Sequence, residues 1–389
     1  MVFFGQIGTV TRLGLSTLRN RIGASLVVVI GMACAVGALL SILSLSTGVM
    51  NVVSHGHNDR ALVMSQGAQF EGASTIKRTD LGTIADAPGL MKAADGRPAV
   101  SAEVFSNLSV YKKSDDLFTF VQVRGIGPEA RSIRTELHIV QGRMFQPGKF
   151  EVIVGKNMPA LYKDIGIGNK LDLPQGQWTV VGIYESGGDM LEGGTVLTDA
   201  DTLASALRAP AYKSVWVRLQ SPADFATLRG ALMSNPSLSV ELTSETDYLK
   251  REGADINAIP TAVAFVVGGI MGLGAMFGAL NTMYSAVSNR RVEIATLRAI
   301  GFGGGAVVFS VLAECLVLAL AGALIGALFA WTAFAGHLQS FGGVAIKLGV
   351  TPGHALNGIL FACFLAFIGG IFPAMKAARQ PIATAIRAT

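Results

Sequence analysis

Charged residues are absent from five long runs of the chain: Ile22 to Asn58, Ile256 to Asn289, Ala299 to Ala313, Cys315 to Ile346 and Leu348 to Met375. Each run, or the adjoining pair interrupted by Glu314 alone, can hold a helix of roughly 20 residues, the length that crosses a bilayer. The pattern predicts four spans, at about 23–48, 260–286, 306–334 and 355–375. The first two runs are longer than lipid requires. Ile256 to Asn289 is 34 residues, about 51 Å as one helix against a hydrocarbon core of about 30 Å. The excess predicts that the first and second spans continue beyond the lipid as a stalk, unless the helix breaks at Pro260.

Between the first two spans the periodicity changes. Short strands are predicted at Glu151 to Val154, Lys170 to Leu173, Trp178 to Tyr184 and Ser214 to Leu219, separated by Gly, Pro and Asn turns. Ser221-Pro222 opens a helix to about Met233, followed by a strand at Leu238 to Leu242. An earlier unit combines a helix near Asp80 to Ala87 with strands near Val100 to Val110 and Thr119 to Val123. Residues 130–210 read as a mostly β insertion between two α/β halves. The fold class is an α-helical membrane protein with four transmembrane helices and a large α+β domain between helices 1 and 2.

Along the chain this predicts an amphipathic elbow at 1–21, carried by Ile7, Val10, Leu13, Leu15 and Leu18. It is followed by the first span and stalk at 22–50, the inserted domain at 51–255, and the stalk and second span at 256–286. A charged loop helix at 287–302 precedes the third span at 303–336. A short outer segment at 337–353, the fourth span at 354–376 and a tail at 377–389 complete the chain. No repeat of fixed period occurs, so oligomerisation must supply any symmetry.

Composition supports lipid as the solvent for part of the chain: 51% of residues are hydrophobic and only 15% charged. Charge placement sets the orientation. Arg12, Arg19 and Arg21 precede the first span; Arg290, Arg291 and Arg298 against Glu293 fill the loop after the second; Lys376, Arg379 and Arg387 follow the fourth. The segment from Ala335 to Gly353 holds only Lys347. The positive-inside rule puts both termini and the 287–302 loop in the cytoplasm, and 51–255 outside. The net charge of +5 is therefore a topology signal and a means of meeting anionic membrane lipids; it requires no nucleic acid. Cys34, Cys315 and Cys363 lie within spans as small packing residues, and the first span reads as an uncleaved anchor.

Candidate chemistry is sparse. Glu314 is an acid within a predicted span, with Ser310 one turn earlier on the same face; it is read either as a structural ion pair or as part of transport chemistry. Gly268, Gly272, Gly274 and Gly278 on the second span, and Gly322 and Gly326 on the third, have the G-x-x-x-G spacing that allows close helix approach. A dimer contact through the second span is expected, with packing inside one subunit as the alternative. His55 and His57 alone make a poor metal site, and no metal is predicted. Asp189 and Glu192 read as a solvated turn. There is no H-E-x-x-H, no G-x-S-x-G and no P-loop: before Gly155-Lys156, Phe150 stands where the first glycine is needed, and Asn157 follows the lysine.

The loop Asn289 to Phe302 is too polar for lipid and ends at Gly301, which can take up a left-handed cap. Its R-x-E-I-x-x-L-R-A-I-G sequence from Arg291 to Gly301 resembles the signature of the MacB/FtsX-type permease family of ABC transporters. Leu18 to Arg21, Gly142 to Phe145, Gly166 to Lys170, and Phe372-Pro373-Ala374 with Arg379, Pro381, Ala385 and Arg387 are similar to that family's other segments. The resemblance implies a permease subunit of the bacterial inner membrane working by mechanotransmission, with a second copy or a paralogue and an ATPase dimer on separate chains. ATP and Mg would be bound by the ATPase, and no cofactor by this chain. It further implies that Arg290, Arg291, Glu293, Leu297, Arg298 and Gly301 couple to the ATPase. Lipid-like, peptide or lipoprotein cargo would leave from the periplasmic side, toward an adaptor of the membrane-fusion type. The alternative is an FtsX-like regulator that switches a periplasmic enzyme without moving cargo.

Overall fold

The computed structural model describes residues 22–53, 56–187, 194–334, 336, 338–341 and 344–379. The elbow at 1–21, His55, Asp189, Glu192, Pro381, Ala385 and Arg387 lie outside the described residues. The chain forms two compact units, one of long helices and one comprising residues 48–257 with 338–347.

Four long helices, Ile22–Val53, Glu245–Asn289, Gly304–Phe334 and Pro352–Ala378, lie wholly or mostly in the helical unit; residues 48–53 and 245–257 of the first two fall in the other. Their stretches Ser25–Gly48, Thr261–Asn289, Gly304–Phe334 and Pro352–Ala378 are long and apolar enough to cross a membrane. Thr351 caps the last of these by accepting a hydrogen bond from the His354 amide at 3.3 Å, with Pro352 in the first turn. Phe265, Ile270, Phe277, Leu328 and Phe364 are exposed on the outer surfaces, as a lipid-facing surface requires. Between helices many buried residues are small, among them Ala35, Ala279, Ala319, Ala323, Ala362 and Ala366, beside larger ones such as Met32, Leu40, Leu318 and Leu365. The third and first helices approach closely. A Cβ on Gly322 would lie 2.6 Å from the Val29 carbonyl oxygen, and one on Gly326 2.5 Å from that of Ala33. Only glycine fits there, and the dispersion attraction between closely packed backbones replaces the hydrophobic drive that lipid does not supply.

The second helix departs from its predicted limits. It is one unbroken helix of 45 residues, about 68 Å long at 1.5 Å per residue, and it runs through position 260 without a break. The predicted boundary at 255/256 therefore falls inside an element. Charged residues cease there because the helix surroundings change, while its backbone hydrogen bonding continues.

The domain is built on a ten-stranded sheet. Its strands are β1 (Arg60–Ser65), β3 (Val100–Tyr111), β4 (Phe118–Ile126), β5 (His138–Gly142), β6 (Glu151–Gly155), β7 (Lys170–Leu173), β8 (Gly176–Glu185), β9 (Thr195–Asp199), β11 (Ser214–Arg218) and β12 (Val240–Ser244). The order is β12-β1-β11-β3-β4-β9-β6-β8-β5, with β7 beside β8. A two-stranded ribbon pairs β2 (Ile76–Lys77) with β10 (Ala211–Tyr212), and a hairpin joins β13 (Leu338–Phe341) to β14 (Val344–Lys347). The predicted β insertion corresponds to β5–β9, which joins the main sheet through parallel pairing of β9 with β4. Helices Asp80–Ala85 and Phe225–Met233 bury Ile84, Leu228 and Leu232 in the principal core with Val63, Val104, Val215 and Val217.

A chain of buried charges crosses this sheet. Register sets Glu103 of β3 opposite Ser214 of β11, and Phe105 opposite Arg124 of β4. Glu103 is fully buried and accepts from Arg134 Nη1 at 2.6 Å and Arg124 Nη1 at 2.7 Å. Arg124 also pairs with Glu71, whose carboxylate accepts from Ser214 Oγ at 2.7 Å and Trp216 Nε1 at 2.9 Å. Burial acts to raise the Glu71 pKa, but the Arg124 charge and these hydrogen bonds outweigh it and hold the carboxyl at about 2.

Candidate functional site

The loop after the second span folds as a short helix, Arg291–Ala299. Gly301 ends it with φ +104°; its amide donates to the Arg298 carbonyl and that of Phe302 to the Leu297 carbonyl, each at 3.1 Å. This is a Schellman cap, which satisfies carbonyls the helix end would leave bare. Ile294 and Ala295 are buried, Leu297 and Arg298 half-buried, and Arg291, Val292, Thr296 and Ala299 exposed; Ile300 is 72% exposed. One side of the helix is thus seated on the bundle. The other side presents a mixed surface of one cation, two β-branched aliphatics and a hydroxyl.

Arg290 does not belong to that outer surface. Its side chain is only 11% exposed and grips Glu293 with two hydrogen bonds, from Nε at 3.0 Å and Nη2 at 3.1 Å. Its Nη1 also lies 3.5 Å from Glu314 Oε2 on the third helix. Burial disfavours the charged guanidinium, yet the Glu293 hydrogen bonds and both carboxylates raise its pKa above the ordinary value. Of the loop residues expected to couple, Arg290 and Glu293 face each other, whereas Arg291 faces outward.

Arg290 directly follows the stretch that ends at Asn289, and its reach brings that end of the second helix beside Glu314 of the third helix, which starts at Gly304. Ser310 and Glu314 are both buried, one turn apart. Beside Glu314 lies a cleft of about 240 Å³, lined by Ser25 of the first helix and Thr282, Ser285 and Asn289 of the second.

The second-span glycines divide. A Cβ on Gly272 would meet Phe361 at 2.9 Å and Leu365 at 3.3 Å, and one on Gly268 would touch Leu39 at 3.7 Å, so these two pack within the subunit. Positions Gly274 and Gly278 open onto free space. Gly268 and Gly272 thus follow the expected alternative of packing inside one subunit, while Gly274 and Gly278 meet nothing within it.

A further cluster in the domain was not signalled by the sequence. At the start of the long second helix, Glu245 Oε2 accepts from the His57 amide at 2.9 Å, and Glu245 Oε1 lies 3.9 Å from Arg60 Nη1. Arg60 also forks onto Glu136, with both bonds at 2.5 Å. One turn on, Tyr248 packs edge-on against Trp216, and the Arg134 guanidinium lies over the same indole, 4.9 Å from the ring centroid. The two ends of the domain segment are therefore joined by the contacts of Glu245 with His57 and Arg60, while Tyr248 is held to Trp216 of β11. The polar partners lie 76 to 188 residues apart in sequence, so periodicity could not have found them. Among the described residues, no group of three or more His, Cys, Asp or Glu could hold a metal ion.

Comparison with known proteins agrees with this architecture. Residues 25–234, more than half the chain, match the model of the MacB-like periplasmic core domain, and residues 265–382 match the FtsX-like permease C-terminal model. The uncharacterized ABC transporter permease YknZ of Bacillus subtilis (strain 168) is 24% identical over 188 residues. That match spans 45% of this chain and 45% of the relative, less than half its length. Among solved structures, the extracellular domain of the noncanonic ABC-type transporter YknZ from Gram-positive bacteria aligns at 14% identity and TM-score 0.36, covering 48% of this chain and 100% of that one. The periplasmic region of MacB from Actinobacillus actinomycetemcomitans aligns at 13% identity and TM-score 0.38, covering 52% and 96%. The two family models, the second of which contains the short helix between membrane-crossing helices, place this chain in the MacB/FtsX-type ABC transporter permease family.

Proposed function

We propose that this chain is the permease subunit of an ATP-driven transporter of the inner membrane, both termini cytoplasmic, and that it docks on a separate ATPase through Arg291, Val292, Thr296 and Ile300. The observation that carries the reading is the division of the loop helix into a seated side, pinned by Arg290 to Glu293 and Glu314, and an outer side with exposed aliphatic and cationic groups. Aliphatics flanked by a cation suit a groove on a protein partner, where apolar contacts supply affinity and charge supplies register. Leu297, Arg298 and the Gly301 cap hold the outer residues in place.

ATPase closure would press on this helix, and the Arg290 bridge would pass the displacement to the third span. The unbroken second helix would carry it along its length to Glu245, which contacts Arg60 and His57. Such a mechanism moves cargo on the periplasmic side, of lipid-like, peptide or lipoprotein character, toward an adaptor. A dimer of permeases, through Gly274 and Gly278, completes the assembly.

Arg291→Glu combined with Ile300→Asp should abolish co-purification of an ATPase subunit while leaving the permease folded, because both side chains point away from the bundle. Retention of the ATPase by that double variant would refute docking through this surface. Stimulation of ATP hydrolysis by cargo in the reconstituted complex supports transport. Stimulation of a periplasmic enzyme without cargo movement supports the regulatory alternative instead.

A further inference from the structure

We infer that the cleft beside Glu314 is a binding pocket for the head group of a phospholipid bearing a primary ammonium group. Thr282, Ser285 and Asn289 are spaced i, i+3 and i+7 and so share one face of the second helix. Higher on the same helix, exposed positions such as Phe265, Ile270 and Phe277 are apolar, as contact with lipid tails requires. This end of the helix is polar on other faces as well, with Asn281, Tyr284 and Ser288 exposed, but it is Thr282, Ser285 and Asn289 that line one cavity with Ser25 of the first helix and Glu314 of the third.

Position and size agree with a head group. Ser25 begins the first membrane-crossing stretch and Asn289 ends the second, so the pocket lies at the bilayer surface, at the same end as the charged loop. Its volume of about 240 Å³ is several times the roughly 30 Å³ that a water molecule occupies in the liquid. Ile22 and Leu318 supply apolar lining compatible with the upper part of an acyl chain.

The chemistry selects the class of lipid. Glu314 contributes a buried carboxyl acceptor that Arg290 holds in place from the loop side at 3.5 Å. An ammonium donor directed at that carboxylate makes a charge-assisted hydrogen bond. The phosphate of the same head group then meets donors, the Ser25 and Ser285 hydroxyls and the Asn289 amide. A head group with only anionic and hydroxyl functions would set its phosphate near the carboxylate with no ammonium to compensate. The inference stands apart from ATPase docking, since none of these residues lies on the outer side of the loop helix.

The test uses the full-length permease in mild detergent, exposed to equimolar phosphatidylethanolamine and phosphatidylglycerol, with bound lipid read by native mass spectrometry. Phosphatidylethanolamine should be retained preferentially, and Glu314→Gln should lower its occupancy about tenfold, as loss of one charge-assisted bond implies. Ser285→Leu fills the exposed side of the cleft while leaving the Arg290 bridge intact, and should lower occupancy comparably without loss of thermal stability. Equal retention of the two lipids by the unaltered protein, or unchanged phosphatidylethanolamine in the folded Ser285→Leu variant, would overturn the assignment.

Discussion

The helical unit and the domain solve opposite packing problems. In the helices, many of the buried contacts are Ala and Gly, and Gly322 and Gly326 bring their backbone against that of Val29 and Ala33 with no side chain of their own between them. In the domain, a strongly apolar core is crossed by four charged side chains, Glu71, Arg124, Glu103 and Arg134, all buried. Lipid tails are as apolar as leucine, so helices in a bilayer associate by shape, and a wrong shape is what they cannot tolerate. A domain in water already has a hydrophobic drive. Its buried ions add little net stability, but they penalise every arrangement that leaves one of them without its partner. The first region is thus sensitive to volume and the second to charge.

The most direct way to break this comparison is to remove the shared acceptor in the domain. Glu103→Ala leaves two guanidinium groups facing an empty site and should destabilise the domain by about 3–5 kcal/mol, read as loss of protease resistance in the full-length protein. A cost below about 1 kcal/mol would mean the charges are effectively solvated. Acid should act on the same chain of charges. Because the folded Glu71 pKa is depressed from 4.5 to about 2, its stabilising contribution is complete above pH 4.5 and is lost as pH falls from 4.5 toward 2. Tryptophan fluorescence of the domain should report a transition in that window, and Glu71→Gln should flatten the pH dependence while lowering stability at neutral pH.

In the helical unit the informative change is steric. Gly326→Val drives a side chain into the Ala33 carbonyl and the Gly37 amide and should cost about 1–3 kcal/mol or more in detergent thermal melts. Gly274→Val, at an open position, should stay within about 0.5 kcal/mol in the same assay. If it instead dissociates a permease dimer at unchanged monomer stability, the open glycines mark the contact between subunits. A large effect of Gly274→Val on the monomer would erase the distinction between the closed and open glycines.

The four spans and the inserted α+β domain were legible in the sequence for a physical reason. A bilayer excludes charge over a fixed thickness, so uncharged runs of sufficient length report the solvent directly. The loop helix was legible too, since its charges, placed between two spans, have no place in lipid. The ends of elements were less so. Charges stop near 255 because the environment changes, whereas the helix continues from Glu245 to Asn289. The sequence left Glu314 open between a structural ion pair and transport chemistry, because hydropathy does not show which distant side chain a residue faces.

Tertiary structure alone decided the pairings. Arg290 could have faced an external partner, and only the approach of the third helix turned it onto Glu293 and Glu314. Glu71, Glu103, Arg124 and Arg134 are ordinary acids and bases in the chain, since each occupies a position that would equally suit a solvated strand or turn. Non-local strand register makes them one network, by bringing β3, β4 and β11 side by side. Local sequence determines which solvent a segment tolerates; which distant group neutralises a buried charge is set by long-range pairing, and that exists only in the folded chain.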